Sequence, residues 1–400
     1  MKSASGIDFA PGYAQGRTVA NLAAQIGIRF GAAQGLAALP PLENASLLEA
    51  ITRASHVVVL LLDGVGCAQL EALSPRGSLS RARVCELDST FPSSTAPAVT
   101  TFATGEAPGL HAVTGWHMWS QRHQSVVRPL PLDYRGLPGA IDAGDLFQWV
   151  PLSARIRAAT TVLQPAWIAD SAYTRYAFSK ARRLGYSTLE DIRRLVTESM
   201  QAPAPDGHHL YVYLPQFDMN AHEYGWSSDR AHRTIVAFDT LFSDLAADLS
   251  QSGALLIATA DHGFIDVPGE QILSLEAFPE VASLIDGPLT GEPRVAFCRV
   301  RRGFEDVFAD TAEKLLGFAF DCHSSEALIQ SGCFGPAQHC GAVLRERIGS
   351  HTLVGRDRYC LTQTLPGEAP ANFIGMHGGT HRDETRVGVA AVCRGSPLPV

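Results

Sequence analysis

Four groups of acids and histidines stand where apolar runs end. Asp63 closes VVVLLL, Asp218 and His222 follow LYVYLPQF in the pattern DMNAH, Asp261 and His262 close LLIATA, and His377 lies in GMHGGTH shortly before VGVAAV. Between the first two groups runs the hydroxyl-rich segment DSTFPSSTAPAVTTFATG. Carboxylate oxygen and imidazole nitrogen are suitable ligands for zinc, and two metals can clamp both sides of a phosphoryl transfer. An apolar core rarely needs so many ionisable groups. The set points to metal-dependent chemistry on a phosphoryl or sulfuryl ester. The spacing of Asp218 and His222 places both on one face of a helical turn.

These residues need elements that bring them together. The run 57–62 is continuously apolar and β-branched at its start, as a buried parallel strand should be. Gly64 and Gly66 then permit a tight turn. Further strands are expected at 210–215, 254–259 and 387–393, and others at 294–300 and 341–345. Helices are expected around 18–28, 43–54, 95–104, 187–199 and 308–316. Residues 228–249 carry Ile235, Phe238, Leu241, Phe242, Leu245 and Leu249 at helical spacing. Strand–helix–strand order favours an α/β fold with a mostly parallel central sheet. In such sheets functional residues gather beyond the carboxyl ends of the strands. The ligand candidates come from both ends of the chain. This favours one catalytic domain over 1–400, with insertions at 106–209 and 266–365 forming a cap or pocket walls, and an N-terminal helical extension at 1–50.

At 400 residues the chain can bury a large core, and 46% apolar with 18% charged residues is a globular balance. It has 40 acidic against 32 basic residues, a formal charge of -8, and no basic block. A nucleic-acid polymer is therefore not an expected partner. A small phosphate ester is, because bound metals reverse the local field. No apolar stretch approaches the length of a membrane span, and the first residues do not read as a secretory signal. The eight cysteines have no CxxC pair, and the nearest approach to a zinc cluster is Cys333, His339 and Cys340. Reduced thiols in a cytoplasmic protein are the expectation. A homodimer is left open.

In order and setting, these segments resemble the alkaline phosphatase superfamily, especially its type I phosphodiesterase and nucleotide pyrophosphatase branch. The resemblance covers about 55–265 and 373–393 and is weak over 1–50 and much of 266–365. It implies an alkaline-phosphatase-like fold with cap insertions. It also implies a nucleophile nine residues before the Thr of a Thr-Gly pair. Thr104–Gly105 selects Thr95; the phrase TFP gives a competing register at Thr90, and Ser93 or Ser94 are further alternatives. Helix capping is the plainer role for such a hydroxyl cluster. The resemblance divides the ligands into Asp63, Asp261, His262 and Thr95 for one zinc, and Asp218, His222 and His377 for the other, with manganese as an alternative metal. His381 is a substitute for His377. Thr95 would attack phosphorus in line, and water would then cleave the threonyl-phosphoryl intermediate, giving net retention. The implied activity is hydrolysis of a phosphodiester or nucleotide-pyrophosphate-like substrate. A phosphomonoesterase, a phosphonate hydrolase, a phosphomutase and an inactive metal-binding domain are the alternatives.

One departure stands out. The branch places an Asn that holds a phosphate oxygen where this chain has Trp116, and an indole cannot reproduce amide geometry. His117, Arg122 and His123 are loose candidates for that task. Trp116, Trp119, Tyr224 and Trp226 are candidates for a pocket wall, against simple packing. Tyr211 and Tyr213 alternate on a strand and read as core or interface packing. Thr-Ala-Pro around Thr95 disfavours the Cys-x-Pro-x-Arg route of sulfatases.

Overall fold

The computed structural model describes residue 7 and residues 9–32, 39–369 and 373–398. The central sheet uses strands β1 (His56–Leu62), β2 (Arg83–Asp88), β3 (Ala159–Pro165), β4 (Arg182–Tyr186), β5 (His208–Leu214), β6 (Ala254–Thr259) and β7 (Arg386–Cys393). Their order across the sheet is β7-β6-β1-β5-β3-β4, with β2 also paired to β7 and the short strand Ser396–Pro397 at its outer edge. From β6 to β4 every pairing is parallel; β7 runs antiparallel to β6 and to β2. β1 lies at the centre, with Val59 opposite Tyr211 on one side and Ile257 on the other. All of its residues after His56 are buried, because helices cover both faces.

Helices α1 (Val19–Arg29), α2 (Ala45–Arg53), α3 (Thr95–Thr104), α4 (Leu189–Gln201), α5 (Gln216–Tyr224) and α6 (Asp229–Asp248) flank this sheet. Thr18 and Asn21 form a capping box on α1, and Thr188 and Asp191 form one on α4. Along α6, Ile235, Phe238, Leu241, Phe242 and Leu245 are buried at the spacing of one helical stripe. Each such side chain contributes roughly 1.5–3 kcal/mol on burial.

Three expectations change. The strand expected at 341–345 is a helix, Ala342–Ile348, with Leu344, Arg347 and Ile348 buried at three- and four-residue spacing. Residues 159–165 and 182–186, inside the segment read as an insertion, are strands of the central sheet. Segment 266–365 is more regular than expected. It carries a four-stranded antiparallel sheet of Thr290–Glu292, Val295–Cys298, His351–Gly355 and Phe320–Ser324, backed by the helix Glu305–Leu316. Among the described residues no helix is long and apolar enough to cross a membrane.

Candidate dimetal site

The parallel strands deliver their ends to one edge. Asp63 follows β1 directly, and its N–H continues the ladder to Leu214 O at 3.0 Å. Asp261 and His262 follow β6. After β5 the chain turns into α5, whose first turn carries Asp218 and whose last carries His222. Thr95 opens α3. His377 enters from the loop before β7.

The hydrogen bonds fix the imidazoles. A carbonyl oxygen only accepts, so each ring nitrogen facing one carries the proton. His262 Nδ1–H donates to Gly263 O at 3.0 Å, His222 Nδ1–H to Gly375 O at 2.8 Å, and His377 Nδ1–H to Ser93 O at 3.2 Å. With Nδ1 so engaged, Nε2 of each ring points inward as the atom free to bind a cation, the arrangement typical of metal-ligating histidines.

Two sets of donor atoms result. In one, His262 Nε2 lies 3.3 Å from Asp63 Oδ1, 3.6 Å from Asp261 Oδ2 and 3.1 Å from Thr95 Oγ1. Thr95 Oγ1 is 3.5 Å from Asp63 Oδ1. In the other, His222 Nε2 lies 3.2 Å from His377 Nε2 and 3.4 Å from Asp218 Oδ1, which is 3.7 Å from His377 Nε2. A tetrahedral zinc with bonds of 2.0–2.1 Å needs donors about 3.3–3.4 Å apart. Two imidazole nitrogens at 3.2 Å repel unless a proton or a metal cation lies between them. Asp218 Oδ1 and Asp261 Oδ2 are buried and have no hydrogen-bond partner. Donor set, spacing and orphaned oxygens all fit divalent metal. The sets adjoin: the donor atoms of Asp218, His262 and His377 also lie within 4.8 Å of one another, and the His262 and His377 rings stack at 3.7 Å.

Burial costs this arrangement charge. Burial, and then the charge of Asp218, push Asp63 well above the ordinary carboxylate range; burial and Asp63 do the same to Asp261. Burial with neighbouring His262 and His222 pushes His377 well below the usual imidazole value. Cations would relieve the carboxylates.

The other hydroxyls of the segment are engaged elsewhere. Thr90 Oγ1 donates to Pro92 O at 2.8 Å, Ser93 Oγ donates to Gly379 O at 2.8 Å, and Ser94 Oγ donates to Glu292 Oε1. His381 accepts the Asp383 N–H at 3.2 Å as the cap of a short helix, apart from both donor sets. Arg122 pairs with Asp145 and His123 bonds Ser120, so neither is directed at Thr95. His117 pairs through its backbone with Gly291. Trp119 is buried with Arg299 3.4 Å over its ring, a packing role. Tyr224 stacks under Arg230, and Trp226 packs on the main core. Trp116 is 38% exposed, and its backbone N–H donates to Glu292 Oε1 at 2.7 Å. Cys333 and Cys340 lie in an apolar cluster, and all eight cysteines are free thiols.

Several supporting residues carry no local signal in the chain. Tyr213, read as packing, donates its hydroxyl hydrogen to Asp63 Oδ2. Phe264 stands edge-on to His222 and His377, and Phe373, 45% exposed, lies 4.8 Å from the His222 ring. Arg294 and Glu384, both fully buried, pair at 2.8 Å; Glu384 also accepts the Gly379 N–H at 2.8 Å. That pair pins the loop carrying His377. Burial pushes Glu292 up to about 7, against the bonds it accepts from Ser94 and Trp116.

Comparison with known proteins identifies the family and the fold. The family described as type I phosphodiesterase / nucleotide pyrophosphatase matches residues 57–380. No curated protein matches the sequence. Among solved structures, murine ectonucleotide pyrophosphatase/phosphodiesterase 5 is similar, with a TM-score of 0.62 at 17% identity over 84% of this chain and 88% of that one. An inactive threonine-to-alanine variant of that murine protein in complex with AMP has a TM-score of 0.62 at 17% identity, covering 84% of this chain and 87% of its own. The human counterpart gives 0.62 at 16% identity over 84% of this chain and 87% of that one.

Proposed function

This chain belongs to the type I phosphodiesterase / nucleotide pyrophosphatase family, in the alkaline phosphatase superfamily, and from that membership we propose hydrolysis of a phosphodiester or nucleotide-pyrophosphate-like substrate through a threonyl-phosphoryl intermediate on Thr95. Family and converging donor sets make it a metal-dependent phosphoester hydrolase. The observation that carries the finer reading is Thr95 Oγ1, placed 3.1 Å from Nε2 of His262 while its neighbouring hydroxyls are occupied. The similar murine protein is inactive as a threonine-to-alanine variant and holds AMP, which favours the same reading here.

Asp63, Asp261, His262 and Thr95 would hold one ion, and Asp218, His222 and His377 the other. Zinc suits the mixed Asp/His donors, with manganese as the alternative. Bound divalent metal supplies Lewis-acid stabilisation of charge on the entering and leaving oxygens. Thr95 loses its hydroxyl proton to solvent and its Oγ1 bonds to phosphorus as the bond to the leaving oxygen breaks, the leaving oxygen departing as an oxyanion or taking a proton from solvent. Water next attacks phosphorus, the Thr95 Oγ1–P bond breaks, and the hydroxyl is restored. Two in-line displacements leave net retention. Backbone N–H groups at the start of α3 would add hydrogen bonds to an oxygen of the transferred group.

Thr95→Ala tests the assignment. On bis-p-nitrophenyl phosphate the metal-loaded variant is expected to lose at least about 10³-fold in kcat while keeping its metal content. Full activity with metal intact would reject Thr95 as the nucleophile. A wild-type preference for p-nitrophenyl phosphate would reject the substrate class.

A further inference from the structure

Glu292 is wedged between the start of α3 and the loop carrying His377, and neither donor set uses it. Its Oε1 takes the hydroxyl hydrogen of Ser94, the residue before Thr95, and the N–H of Trp116 at 2.7 Å. On its other side is Gly378, next to His377. A Cβ there would stand 2.8 Å from Glu292 Cβ, so only glycine leaves room for this carboxylate. Glu292 Oε2 has no hydrogen bond among the described residues and is not sealed from solvent. The side chain, 8% exposed, is thus held by one oxygen with the other free.

For in-line attack a phosphoryl group must lie about 3–3.5 Å from Thr95 Oγ1. A carboxylate anchored to the preceding residue, at the same helix start, would then act on its non-bridging oxygens. We propose that Glu292 selects substrate by charge, admitting the single negative charge of a phosphodiester and disfavouring the double charge of a phosphomonoester. The proposal deepens the phosphodiester reading and rests on Thr95 marking the phosphoryl position. Each added charge is repelled by a carboxylate that the protein does not let turn away, in surroundings less polarisable than water. No proton transfer or new bond is involved.

The test compares full-length, metal-loaded wild type with Glu292→Gln and Glu292→Asp. Glutamine can still accept both hydrogen bonds without the charge; aspartate keeps the charge on a shorter arm. At about pH 8.5 a phosphomonoester is fully dianionic, since its second ionisation lies near 6, and the carboxyl is ionised. The ratio of kcat/KM for p-nitrophenyl phosphate to that for bis-p-nitrophenyl phosphate should rise on the order of tenfold in Glu292→Gln. It should stay near wild type in Glu292→Asp. An unchanged ratio in Glu292→Gln, or an equal rise in both variants, overturns the proposal. Binding of inorganic phosphate dianion, followed by phosphorus NMR line broadening, gives a readout independent of turnover. Glu292→Gln should bind it on the order of tenfold more tightly, and unchanged affinity overturns the proposal. Tighter phosphate binding in a protein whose wild type hydrolyses no diester would instead overturn the proposed reaction and keep the charge selection.

Discussion

Tyr213 shows what a single hydroxyl does for a ligand. Its hydrogen bond to Asp63 Oδ2 leaves Oδ1 of the same carboxylate facing His262 and Thr95. The bond fixes the rotation of the carboxylate and satisfies an oxygen buried away from water. Tyr213→Phe should weaken zinc binding by about 10–100-fold, as loss of such outer partners does elsewhere. Titration against a chelating dye measures it, and wild-type affinity would remove Tyr213 from the site's support. Asp63, Asp218, Asp261 and His262 were legible in the sequence because they follow apolar runs, and a parallel sheet sends those ends to one edge, while His377 stood out by its glycine-rich loop. Tyr213 was not. Alternation with Tyr211 tells only which face it is on; its reach to Asp63 depends on the pairing of Leu61 with Tyr213 between β1 and β5. Glu292 was equally silent, since its partner Ser94 is 198 residues away.

At the scale of elements, the start of α3 and the loop 377–381 are held as one piece. Ser93 contributes its carbonyl to His377 and its hydroxyl to Gly379. Behind them, Arg294 donates to Glu384, Tyr359 O and Asp357 O, so the hairpin turn between Thr290–Glu292 and Val295–Cys298 braces the loop that carries His377. Removing one partner leaves a buried charge uncompensated. Arg294→Met should cost about 3–5 kcal/mol of stability, read by denaturant unfolding, and should lower the metal occupancy of the site containing His377. A cost below 1 kcal/mol would show that the pair does not brace the loop. Element positions were legible where the period was long, as in α6, and where strands were uniformly apolar, as in β1 and β6. Gly185 and the arginines of RRLGY disguised β4, an edge strand whose residues are mostly not fully buried. GAVLR is too short for periodicity to separate strand from helix, and burial of Leu344, Arg347 and Ile348 decided for helix.

On the scale of the whole molecule, the donor atoms come from positions 63 to 377 and share one small volume. Three carboxylates and three imidazoles held together favour the folded chain only when positive charge offsets their burial. Metal should therefore stabilise the fold by about 2.7 kcal/mol per ion at a hundredfold excess over its Kd. Chelation should lower the thermal unfolding temperature, and added zinc should restore it; an unfolding temperature indifferent to chelator would mean that the donors hold no ion.

The anchoring of Glu292 and Arg294 also bears on how such a protein can be re-engineered. Both belong to a segment whose ends lie between His262 and His377, yet both reach back into the walls of the reaction centre. The segment is thus not a detachable module. A chimera that exchanges residues 266–365 for another insertion would remove Glu292 and Arg294 together and so unmoor both the start of α3 and the loop carrying His377. Shuffling between relatives will conserve function only when the graft brings equivalents of both anchors with it.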